Sequence, residues 1–81
     1  KMSQFEKLME KLKTGKSLTF SETQIILKKL GFTLERVSGS HHIYTHLQID
    51  RPVNIQPVGK DAKPYQIKQI RDIIFELGLD R

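Results

Sequence analysis

The stretch Ser38-Gly39-Ser40-His41-His42-Ile43-Tyr44-Thr45-His46 constrains the fold more than any other part of the chain. Gly39, between two serines, supplies the positive φ that a tight strand-to-strand turn requires. The β-branched and aromatic residues that follow suit a pleated sheet. A hairpin is therefore expected. Side chains alternate across a strand, so His42, Tyr44 and His46 share one face while His41, Ile43 and Thr45 share the other. Only one of the two adjacent histidines can face a core.

Every histidine of the chain lies in this stretch. Imidazoles in a half-buried strand can be packing groups, metal ligands or acid-base groups. A metal site does not close here: His41 and His42 point apart, and His42 and His46 stand about 13 Å apart along an extended strand. With no cysteine in the chain to complete a ligand set, no metal and no cofactor are expected. Acid-base chemistry remains open, because histidine titrates near neutral pH and can move a proton without a bound ion.

The length of 81 residues allows one domain with one thin core. No apolar run is long enough to span a bilayer and no signal peptide is visible, so a cytoplasmic location without membrane association is expected. Lys1 ahead of Met2 reads as an added residue and is assigned no functional role. The net charge is +5, of which residues 1–20 hold +3 through five lysines and two glutamates. A polyanionic partner is compatible with that excess, although the body of the domain is only mildly basic.

Ser3 can cap a helix over about Gln4 to Lys13, with Phe5, Leu8, Met9 and Leu12 at helical spacing and Thr14-Gly15-Lys16 as its stop. Ser21-Glu22-Thr23-Gln24 has the form of a capping box for a second helix, whose stripe is Ile25, Ile26, Leu27 and Leu30, and Gly31 ends it. Phe32 to Val37 reads as a strand that turns at Gly39 into the histidine strand, and Val53-Asn54-Ile55-Gln56 as a third strand. Gly59 to Lys63 reads as a loop. A last helix begins near Pro64, buries Ile67, Ile70, Ile73, Ile74 and Leu77, and stops at Gly78. The fold class is thus α+β: residues 1–20 form a helical extension, and residues 21–81 an α-β-β-β-α domain. Its three-stranded antiparallel sheet carries the helices on one face, the layout of a double-stranded RNA-binding domain.

From about Ser21 to Leu79 the chain resembles the HicA family of mRNA interferase toxins, which have this fold. The likeness rests on Leu30-Gly31-Phe32, on Gly39-Ser40-His41-His42 followed by His46, and on the helix from Tyr65 to Leu77 ending at Gly78-Leu79. It departs from the commonest pattern after the third strand, where many members have Pro-His and this chain reads Gln56-Pro57-Val58-Gly59-Lys60. The resemblance implies a metal-independent endoribonuclease that cleaves mRNA during stress and halts translation, held inactive by a HicB-type antitoxin. It carries the catalytic histidine onto His41, with His42 as second candidate. Such an enzyme needs cations at the phosphate. Ser40 in the motif, together with Lys60, Lys63, Lys68 and Arg71 around the start of the last helix, are the expected RNA contacts. Two other readings share the fold. One is a non-catalytic module that recognises double-stranded RNA by its shape, and the other is a protein-docking module.

Overall fold

A computed structural model describes residues 3–79, so the expectation about Lys1 and Met2 lies outside the described residues. Helix α1, Gln4–Lys13, starts in a capping box: Ser3 Oγ accepts from Glu6 N, and Glu6 Oε1 accepts from Ser3 N. Helix α2, Phe20–Lys29, starts two residues earlier than Ser21 as cap would allow. Thr19 is the N-cap and Glu22 its partner, with both bonds at 3.0 Å. Gln24 is unavailable for that role, because its amide donates instead to the Tyr44 hydroxyl at 3.0 Å. The earlier start also buries Leu18, just ahead of the cap, to 2% exposure.

Strands β1 (Thr33–Ser38), β2 (His41–Thr45) and β3 (Val53–Ile55) form an antiparallel sheet with β2 in the centre. Gly39 makes the β1–β2 turn at φ 60°. On one face Tyr44, Val53 and Ile55 are buried, and helices α2 and α3 (Pro64–Leu77) lie over them. Helix α3 opens with Pro64 at its first position and closes at Gly78 in the left-handed conformation; it buries Ile67, Ile70, Ile73 and Ile74. Helix α1 adds Leu8, Met9 and Leu12 to the same core. The order α-β-β-β-α with a preceding helix is the double-stranded RNA-binding-domain layout.

Three local expectations are corrected. Ile25, Leu30 and Leu77 are half-buried rather than buried, each at the margin of its helix's apolar stripe. The strand expected over Phe32 to Val37 is Thr33–Ser38: Phe32 is buried ahead of it, and Leu34 on that edge strand is 43% exposed because the helices lie over β2 and β3. Residues 59–63 are not a plain loop: β4 (Pro57–Val58) pairs with β5 (Asp61–Ala62) across Gly59. This small hairpin gives partners to the backbone that leads into α2, since Phe20 N donates to Lys60 O at 2.8 Å and Ala62 N to Leu18 O at 3.3 Å. It stands apart from the main sheet. Among the described residues no helix is long and apolar enough to cross a membrane.

Candidate active site around His41

The covered face of β2 settles the fate of two histidines. His42 lies opposite Ile55 and its ring meets Phe20 edge-on, with centroids 4.7 Å apart. Its Nδ1 donates to Ser40 O at 3.1 Å, since a carbonyl only accepts. His46 packs against Phe32 at 4.6 Å. Its Nε2 donates to Leu30 O at 3.0 Å, and its Nδ1 accepts from Gln48 N at 3.0 Å. Both nitrogens of His46 are thus consumed by backbone: the ring caps the end of α2 and tethers the chain that leaves β2. That is structural work.

His41 takes the opposite side. It is exposed, and its recorded hydrogen-bond partners are side chains: Nδ1 lies 3.3 Å from Asn54 Oδ1 and Nε2 lies 3.4 Å from Gln56 Nε2. Asn54 faces the same way because it pairs with Ile43 on the uncovered face. Gln56 Nε2 also donates to Ser40 Oγ at 3.4 Å, which brings two of the expected site residues, Ser40 and His41, onto one amide. Behind Gln56 stands Gln66 of α3, 2% exposed, whose amide bonds both the backbone and the side chain of Gln56.

The expected cations divide. Lys63, the N-cap of α3, donates its backbone N–H to Gln56 O at 3.1 Å, and its ammonium lies 6.0 Å from the centre of the Tyr65 ring. Lys60 is exposed in the β4–β5 turn nearby in sequence. Arg71 instead turns toward the end of α1, and Lys68 pairs along α3 itself. Lys68 pairs with Asp72 at 3.7 Å, Arg71 reaches Leu12 O at 3.4 Å, and both line a cavity of about 390 Å³ with Lys16 and Asp61. A cation at the carbonyl end of α1 is well placed for the helix dipole, so Arg71 has a structural use as well.

Asn54, Gln56, Tyr65 and Gln66 had no role in the sequence reading. Tyr65 is 57% exposed, and such an aromatic beside a cation is a surface on which a base can stack. The only sequence signal for the amides was their clustering close to the histidine strand's partner and the last helix. Among the described residues, no three His, Cys, Asp or Glu side chains are grouped to hold a metal ion.

Fold and site together define a small α+β domain with the layout of a double-stranded RNA-binding domain and an exposed histidine on the uncovered face of its central strand. A family model described as HicA toxin of bacterial toxin-antitoxin matches residues 20–79. The chain belongs to the HicA toxin family, and as a toxin of a toxin–antitoxin system it has an antitoxin as partner. No curated protein and no solved structure matches it.

Proposed function

We propose that the chain is an endoribonuclease, an mRNA interferase that halts translation in the cytoplasm, with His41 as general base. The observation that carries this reading is the exposure of the His41 ring on the uncovered sheet face, while His42 and His46 are engaged in packing. In this mechanism Nε2 of His41 removes the proton from a ribose 2′-hydroxyl. The freed oxygen attacks the adjacent phosphorus, the bond to the 5′-oxygen breaks, and solvent protonates the leaving oxygen. Neither proton transfer nor attack requires a bound ion.

Ser40, Lys60 and Lys63 contact the phosphate nearest the reacting bond, and Tyr65 stacks on a base beside it. Lys68 and Arg71 contact RNA further along the strand. A HicB-type antitoxin silences the enzyme by covering His41. One experiment tests the whole reading: tightly controlled expression of wild type and His41→Ala, with and without that antitoxin, following growth and mRNA integrity together. Wild type degrades mRNA and stops growth, the antitoxin restores both, and His41→Ala is folded and inert. An active His41→Ala removes the base from this position, and RNA bound but left intact by wild type makes the chain a binding module.

A further inference from the structure

The amides behind His41 are ordered by one group whose role is unambiguous. The backbone N–H of Gln56 can only donate, and it does so to Gln66 Oε1 at 2.7 Å. Gln66 therefore presents its Nε2 to Gln56, whose Oε1 accepts at 2.9 Å. With that oxygen committed, also to Asn54 Nδ2 at 3.4 Å, the other end of the Gln56 amide is a donor. It points at Ser40 Oγ and at His41 Nε2, both 3.4 Å away. A donor facing Nε2 requires a lone pair there, so the ring proton of neutral His41 belongs on Nδ1. Nδ1 faces Asn54 Oδ1 at 3.3 Å, and that oxygen is the accepting end because the Asn54 nitrogen is given to Gln56. Each group in the circuit has a role compatible with its neighbours.

We infer that Gln66, through Gln56, sets the tautomer of His41: proton on Nδ1, lone pair on Nε2. The inference rests on His41 being the base and says how the base is made ready. A free imidazole side chain in water favours the other tautomer, with the proton on Nε2, so the circuit holds the form that an unsupported histidine would adopt less often. The Gln56 contact to Nε2 is at the long end of hydrogen-bond distances, so a ribose hydroxyl can displace it and use the same lone pair. Gln66 is 2% exposed and too deep to touch RNA, which makes it a positioning residue. A buried amide is costly unless its bonds are made; those of Gln66 are made to Gln56 at 2.7 and 2.9 Å, with a longer donation to the Tyr65 hydroxyl at 3.4 Å.

The test is the long-range proton–nitrogen spectrum of the imidazoles in nitrogen-15-labelled protein, recorded above the pH range in which histidines titrate. Wild-type His41 gives the pattern of an Nδ1–H ring, and an Nε2–H pattern overturns the inference. Gln66→Glu replaces the donor by a second acceptor, so Gln56 must rotate, turn its oxygen to His41 and move the proton to Nε2. Gln56→Glu makes the same inversion one step closer and outside the core, should the buried carboxylate prevent folding. A folded variant whose His41 keeps the wild-type pattern overturns the relay. In cleavage, the switched variants lose about 100-fold or more in kcat with KM little changed. Full activity with a switched tautomer also overturns it. If wild type cuts no RNA the nuclease reading fails, and the spectrum still decides the relay by itself.

Discussion

The two faces of β2 carry the same kinds of residue to different ends. On the covered face, His42 and His46 flank Tyr44, which is 1% exposed, and their rings pack on Phe20 and Phe32. On the uncovered face, His41 stands beside Asn54 and Gln56 and meets side chains. Residue type therefore does not separate a histidine locked into the fold from one left exposed. The difference lies in the partners: backbone groups and packed rings lock His46, whereas amides whose own orientation is imposed from α3 address His41.

That division can be broken first through the core. Ile70→Ala on α3 removes a side chain 2% exposed and should cost about 2–5 kcal/mol in denaturant unfolding. Unfolding unchanged from wild type would mean that α3 does not hold the covered face. His46→Ala leaves Leu30 O and Gln48 N without their partner and strips a ring from Phe32. A stability loss of roughly 1–3 kcal/mol is expected, with RNA cleavage by the remaining folded protein intact. Cleavage lost without any loss of stability would move chemistry onto the covered face.

The expected phosphate contacts should respond in binding. The double variant Lys60→Ala, Lys63→Ala should weaken RNA affinity and lower the salt slope by about one per phosphate contact removed, with unfolding unaffected. A salt slope equal to that of wild type would put the phosphate contacts elsewhere. The smallest effect concerns the helix that carries Phe20 over His42. Glu22 is held below the ordinary carboxyl value of 4.5, chiefly by the Thr19 backbone N–H and also by Lys11 at 3.0 Å, against the opposing effect of burial. Because the folded value is the lower one, the charge contributes stability above the unfolded value, and that contribution disappears as pH falls through the folded value. Glu22→Gln should therefore be less stable than wild type at neutral pH, with the gap closing below pH 4.5. A gap that stays constant with pH would show that the charge of Glu22 adds nothing.

Helix and strand order was legible in the chain because local signals marked each element: Ser3 as a cap, Gly39 for the turn, Pro64 and Gly78 at the two ends of α3. The cap of α2 was misread because Thr19-Phe20-Ser21-Glu22-Thr23-Gln24 holds two overlapping capping patterns, and the choice between them depends on where Tyr44 draws Gln24. The β4–β5 hairpin was not legible, since its two-residue strands serve a segment some forty positions earlier.

Sequence alone determined that His41 and His42 leave opposite faces, because alternation is a property of any extended strand. Which face is covered was decided only by the tertiary structure. Both faces of β2 contain an apolar or aromatic residue beside polar ones, and the choice follows from Val53 and Ile55 on β3 meeting the isoleucines of α3. The circuit from Gln66 to His41 belongs to that second kind of knowledge. It joins residues 25 positions apart, through bonds that exist only once α3 has docked on the end of β3.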